Sequence, residues 1–191
     1  MGRTLTFDKD DALDTCLSAF WKAGFDNTSV RDLQRLTGLS GRSLIHSFGD
    51  KRGIFELCLN RYLSYVKMTT ARFSSKTRGL ESFFESFTKS NATDLRHHGC
   101  FILNSISGSL KNDQNLIEAF TKFEQVLTDF FTAQLEYKKI QEPQDKAMIV
   151  FDLFLAGLNK VAIYGDSRKM ISQYQIIKRL ITTWGGPVLR S

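Results

Sequence analysis

The sequence predicts an all-α protein in which a small N-terminal three-helix unit is joined by a long helix to a C-terminal helical bundle. Three observations predict it. Apolar residues recur at helical spacing along nearly the whole chain, and no stretch alternates strictly enough to demand a strand. Only two prolines, Pro143 and Pro187, occur in 191 residues, so little in the chain blocks helix formation.

Segment 9–23 carries Leu13, Leu17, Phe20 and Trp21 at helical spacing, and Gly24 is placed to end it. The second helix, 29–36, starts at Thr28 or Ser29, where Ser29 and Asp32 form an S-x-x-D capping pattern. It presents Val30, Leu33 and Leu36 and stops at Gly38. The third, 40–47, has Ser40 as its cap and Leu44, Ile45 and Phe48 as its apolar contacts. Gly49-Asp50 breaks it, and Asp50 caps a long fourth helix carrying Ile54, Phe55, Leu57, Leu59, Tyr62, Leu63 and Val66. After about residue 75, segments 79–90, 98–110, 113–138, 144–165 and 168–184 read as further helices. Their separators are Ser90-Asn91, Lys111-Asn112, Glu142-Pro143 and Gly165-Asp166.

Composition narrows the setting. Hydrophobic residues at 42% and charged residues at 24% are ordinary for a globular chain and exclude wholesale disorder. Cys16, Cys58 and Cys100 are odd in number, far apart and outside any C-x-x-C pair, which fits reduced thiols in a cytoplasmic protein. The N-terminus has no apolar signal region, and the most apolar stretch, Met148 to Leu158, is too short to span a bilayer, so no membrane partner is expected. The net charge of +6 suits a polyanionic partner. That excess is not concentrated at the N-terminus: residues 1–66 hold nine Lys/Arg and eight Asp/Glu. The window 31–52 is richer, with Arg31, Arg35, Arg42, Lys51 and Arg52 against Asp32 and Asp50.

Two short helices joined by three or four residues including a glycine make a helix-turn-helix, here with the turn Thr37-Gly38-Leu39. The second of the pair would expose Gly41, Arg42, Ser43, His46 and Ser47, a polar face short enough to enter a major groove. Ser40 and Ser43 can donate to phosphates, and Arg42 can offer two donors to a guanine edge or clamp a phosphate. Lys51, at the start of the fourth helix, is placed for a phosphate where free N–H groups already favour an anion.

The string F-x-K-A-G-F-D-N-T-S-V-R-D-L-x-x-L-T-G-L-S-x-x-S-L-I-H-S-F-G-D-K-R-G-I-F resembles the DNA-binding segment of the TetR/AcrR family of bacterial repressors, over roughly residues 10–60. The resemblance implies a homodimeric, ligand-responsive transcriptional repressor; separately, the chain has no G-x-x-x-x-G-K, G-x-G-x-x-G, H-E-x-x-H or G-x-S-x-G motif and three histidines without an acid–base pair, so no enzymatic activity is expected. Residues 1–49 would bind a palindromic double-stranded operator, helix 50–74 would link, and residues 75–191 would hold a small-molecule effector and dimerise. Thr28, Ser29, Ser40, Gly41, Arg42, Ser43, His46 and Lys51 are the DNA-binding candidates. The chain departs from the family where a Tyr is common near the end of the reading helix: Ile45 stands there. Gly41 stands where Lys is frequent, and glycine weakens a first helical turn.

Outside the motif, Cys100 follows His97-His98-Gly99. A thiol near two histidines at a helix start can react as thiolate, which makes a cysteine-based redox or electrophile sensor the alternative function. A small apolar residue packed at a helix start is the reading favoured here. His97, His98 and Cys100 lack a fourth ligand at the customary spacing, so no metal and no cofactor are expected. The 16 phenylalanines are mostly core by their spacing. An apolar effector would nonetheless lodge among them, with Phe84, Phe87, Phe120 and Phe123 as candidates between segments 79–90, 98–110 and 113–138. Segment 148–164 is apolar around most of its circumference and, with 113–138, is the expected dimer interface.

Overall fold

A computed structural model describes residues 8–75, 77–88 and 95–185, and every regular element among them is helical. The order is α1 (Lys9–Ala23), α2 (Val30–Thr37), α3 (Gly41–Phe48), α4 (Lys51–Ser74), α5 (Gly79–Thr88), α6 (Phe101–Ser105), α7 (Gln114–Tyr137), α8 (Pro143–Tyr164) and α9 (Lys169–Trp184). Asp8 caps α1 by accepting from the Asp10 N–H, and Pro143 opens α8 where its missing N–H costs nothing. The separator expected at Ser90-Asn91 lies outside the described residues.

Segment 98–110 differs from its expected single helix. It breaks into a 3-10 turn at Leu95–His98, the short α6, and a second 3-10 turn at Gly108–Leu110. Gly99 and Gly108 take left-handed backbone, φ 79° and 54°, which interrupts the helical register. At Gly99 a side chain would also run into the Leu158 carbonyl and the Ala162 methyl. Glycine is needed there on two counts.

The helices sort into two compact units, and the division does not follow the chain linearly. The first unit holds residues up to Ser64 together with Phe101–Ala119; the second holds Tyr65–Cys100 and everything from Phe120. The sequence reading assigned residues 75–191 as one block, whereas segment 101–119 packs with the N-terminal helices.

In the first unit Phe55 is fully buried, with its ring 5.4 Å from Phe20, 5.1 Å from Phe25 and 5.6 Å from Phe101. Trp21 meets Tyr62 edge-on at 5.1 Å. Ionic contacts hold the returning segment in place. Asp26 in the α1–α2 turn accepts from both the Ser109 hydroxyl and the Ser109 N–H. Arg52 pairs with Glu56 at 2.8 Å and with Asp113, which in turn accepts from the Leu116 N–H at the start of α7. The Arg52 guanidinium, followed by the Leu116 N–H, holds the Asp113 carboxyl below the usual carboxylate range against its desolvation. A depressed carboxyl pKa adds stability above its unfolded value and loses it as pH falls through the folded one. Asp113→Asn is therefore expected to narrow the stability difference between pH 7 and pH 3, read from urea midpoints at both. An unchanged difference would assign the acid sensitivity elsewhere.

In the second unit Phe83 is central, 5.4 Å from Phe84, 5.1 Å from Phe87 and Phe130, and 5.3 Å from Phe154. Gln134 on α7 is buried and joins two helix ends: its Oε1 accepts from the Leu80 N–H and its Nε2 donates to the Ser74 carbonyl. Helices α8 and α9 pack side by side, and Gly157 gives Met170 and Gln173 room to approach.

Helix α8 matches the expected segment 144–165 to within a residue at each end, and its apolar character extends beyond Met148–Leu158. Its 22 residues, with a mean hydropathy of 1.6, are long and apolar enough to cross a membrane by length and composition, the one such helix among the described residues. Ala147, Val150, Phe151, Phe154, Gly157, Leu158 and Val161 are nevertheless buried in the second unit, as in a core helix. Exposed apolar residues remain on α8 (Met148, Ile149, Ile163, Tyr164) and on α9 (Ile171, Ile176). Phe123, Leu127, Phe130 and Phe131 of α7, by contrast, are buried.

Candidate nucleic-acid interface

Local chemistry sets the α2–α3 pair before any packing does. Ser29 and Asp32 form a reciprocal capping box: the Ser29 hydroxyl accepts from the Asp32 N–H, and the Asp32 carboxylate accepts from the Ser29 N–H. The Ser29 hydroxyl, its N–H and then Arg35 hold the Asp32 carboxyl below its ordinary pKa. Gly38 closes α2 in the left-handed region, φ 71°, where an L side chain would be strained. Ser40 caps α3 by accepting from the Ser43 N–H at 3.1 Å.

Packing then fixes which face of α3 looks out. Leu33, Leu44 and Phe48 are buried, at 0%, 0% and 7% exposure, while Arg42 and His46 are exposed. Among the described residues neither Arg42 nor His46 has a hydrogen bond or ion pair, so their donors face outward uncommitted. The Ser40 and Ser43 hydroxyls lie 2.8 Å apart, and because one donates to the other, one O–H remains for an outside acceptor. Lys51 begins α4 with its ammonium 4.2 Å from the Phe25 ring centroid, partly shielded at a helix N-terminus. Asp50 caps the same helix by accepting from the Gly53 N–H.

The remaining candidates differ from their sequence placement. Thr28 is 2% exposed and donates its hydroxyl to the Gly24 carbonyl at 2.7 Å, so it closes the α1–α2 turn and its side chain is not free for a phosphate. A Cβ at Gly41 would meet only the amide end of the Gln34 side chain, which is flexible and can swing aside, so the structure does not require glycine there. No spacing rule flags Gln34. Ile45, expected as an apolar contact inside the unit, is 51% exposed, and Leu36 is 48% exposed. An eight-residue helix buries one narrow stripe, here Leu44 and Phe48, four residues apart.

The effector and redox candidates do not assemble into one place. Phe84 and Phe87 belong to the cluster around Phe83 and Phe154, whereas Phe120 and Phe123 pack on Phe151. Cys100 is fully buried, as are Cys16 and Cys58. Burial pushes the Cys16 thiol up to about 11 and the Cys58 thiol higher still. The native protein is therefore expected to take up no thiol reagent such as dithionitrobenzoate within minutes, and three equivalents once unfolded. Fast labelling of one native thiol would restore the redox reading of Cys100.

Comparison with known proteins identifies the segment just described. The family described as "Bacterial regulatory proteins, tetR family" matches residues 12–58, which span α1 to the middle of α4. Residues 12–58 thus carry a segment similar to the N-terminal part of TetR-family regulators. Among curated relatives, the HTH-type transcriptional repressor ComR of Escherichia coli K12 is 30% identical over 109 residues, covering 54% of this chain. The alignment spans 52% of ComR, about half of that relative's own length. A TetR-family regulator from Agrobacterium tumefaciens superposes with a TM-score of 0.76 at 16% identity, over 89% of this chain and 95% of that one. A cysteine mutant of the TetR-family regulator CifR, solved with a 26-bp double-strand operator DNA, superposes at 0.71 and 17% identity, over 96% and 100%. These two likenesses establish the TetR fold.

Proposed function

We propose that the chain is a transcriptional repressor that binds duplex operator DNA as a homodimer, works in the cytoplasm and lets go when a small molecule occupies its second unit. The observation that carries this reading is the outward face of α3. Arg42 and His46 stand exposed and uncommitted on a short rod whose other side, Leu44 and Phe48, is locked into the first unit. The names of relatives such as ComR, and the operator complex of CifR, support the same direction. The exposed apolar residues of α8 and α9 support self-association through those two helices, since Met148, Ile149, Ile163 and Tyr164 would otherwise face water together with Ile171 and Ile176. This reading places α9, in addition to the α7 expected from the sequence, among the candidate partners of α8, since Ile117 and Tyr137 of α7 are exposed as well. Phe87 and Phe120, the partly exposed members of the two aromatic groups, are the side chains this reading offers to an apolar effector.

The experiment is a titration of fluorescent duplex DNA, both a random sequence and the DNA upstream of the gene, at 50 and 200 mM salt. Binding should be tighter on one sequence and weaken steeply with salt, because Lys and Arg release counterions from the phosphates they neutralise. Arg42→Ala should lower specific affinity by ~5–150-fold per half-site, the effect of losing a bidentate base contact of ~1–3 kcal/mol. It should leave the dimer intact in sedimentation. Unchanged affinity would remove Arg42 from the interface; indifference to all DNA at 50 mM salt would sink the whole proposal.

A further inference from the structure

Ile45 is the residue of α3 that the polar reading does not use. It is 51% exposed on a helix whose other apolar side chains, Leu44 and Phe48, are buried. At about 100° per residue, Ile45 falls some 60° around the helix from Arg42, on the flank of the outward face. A branched hydrocarbon has no donor for a phosphate oxygen, and the half of it left in water contributes nothing to the fold. Gly41, one turn earlier on the same side, adds no side chain between Ile45 and whatever approaches along the helix.

From this placement we infer that Ile45 is a specificity-determining residue that reads the C5-methyl group of a thymine in the major groove. The inference rests on the proposal that α3 enters duplex DNA. Within the major groove the thymine methyl is the apolar group that distinguishes one base from the rest, and an exposed aliphatic side chain is its complement. Arg42 and Ile45 are three residues apart, about 4.5 Å along the helix axis, against about 3.4 Å between base pairs. A guanine read by Arg42 therefore lies next to the thymine read by Ile45, or one step beyond, in each half-site. Ile45 thereby supplies discrimination that Arg42 and His46, as hydrogen-bonding groups, cannot.

The test uses the full chain and a duplex enriched from a randomised pool. Each thymine of that duplex is replaced in turn by deoxyuridine, which removes the methyl group and nothing else. One symmetry-related pair of thymines should respond, with affinity falling about four-fold per half-site and about fifteen-fold for both, as expected for one methyl group buried against Ile45. Ile45→Ala should bind the thymine and uracil duplexes equally, and Ile45→Val should keep most of the preference. Ile45 is half exposed, so both variants should match the parent's thermal midpoint and dimer state. Should no thymine respond, or should Ile45→Ala discriminate as well as the parent, the inference is overturned. A uniform loss of affinity for both duplexes in Ile45→Ala also overturns it, because that outcome marks packing on the sugar–phosphate backbone. A pool that enriches no sequence at all defeats the DNA-binding proposal itself, and this inference with it.

Discussion

Replacing Phe55 by alanine is expected to destabilise the first unit by about 3–5 kcal/mol, the range for removing a fully buried phenyl ring whose surroundings cannot collapse. The ring touches Phe20, Phe25 and Phe101, which come from α1, the α1–α2 turn and α6. No single neighbour can close the space, since each is itself held by other contacts: Phe101, for instance, also packs 5.8 Å from Trp21 and 5.7 Å from Tyr62. The measurement is the urea midpoint, followed by tryptophan fluorescence, because Trp21 lies in the same cluster. Leu57→Ala, two residues away but 38% exposed, is the comparison and should cost well under half as much. Equal losses would mean that Phe55 is not the keystone of that unit.

Gln134→Ala is expected to cost about 1–3 kcal/mol, which is large for a polar residue. The amide is 3% exposed and satisfies two backbone groups at once, the Leu80 N–H at 3.1 Å and the Ser74 carbonyl at 3.2 Å. Both belong to helix ends, where no intrahelical partner exists: Leu80 is in the first turn of α5 and Ser74 is the last residue of α4. Alanine would leave the Leu80 N–H buried and unpaired, a desolvation penalty of about 1–3 kcal/mol, whereas the Ser74 carbonyl, on an exposed residue, can turn to water. Gln134→Glu is the sharper variant. It can still accept from Leu80 but can no longer donate to Ser74. Stability curves for the two variants beside exposed Gln144→Ala decide the matter; three coincident curves would refute the role given to the amide.

What the sequence revealed and what it hid follow a physical line. Ser29 with Asp32, Ser40, Gly38 and Asp50 act within three or four residues of themselves, so their caps were legible from spacing alone. The long helices were legible too, because a stripe repeated over several turns has one consistent explanation. Segment 98–110 was not, since its apolar content suits a helix while Gly99 and Gly108 answer to distant neighbours: Leu158 and Ala162 for the first, Asp26 for the second. Arg52 and Asp113 stand 61 residues apart, and nothing local in either announces the other. At the candidate interface, Arg42 and His46 were read from their polarity. Ile45 was misjudged because polarity alone placed it inside, and Thr28 because its neighbours in sequence are exposed while it is not.

The return of residues 101–119 to the N-terminal helices bears on how such a protein can be engineered. A fragment cut after α4 would lack Phe101, and with it the cover over Trp21, Phe55 and Tyr62. The reading head is thus not a detachable cassette, although its sequence signature ends near residue 58. Hybrids that splice one protein's head onto another's body at the α4 junction would inherit a mismatched lid. Grafting only the outward side chains of α3 leaves that lid untouched.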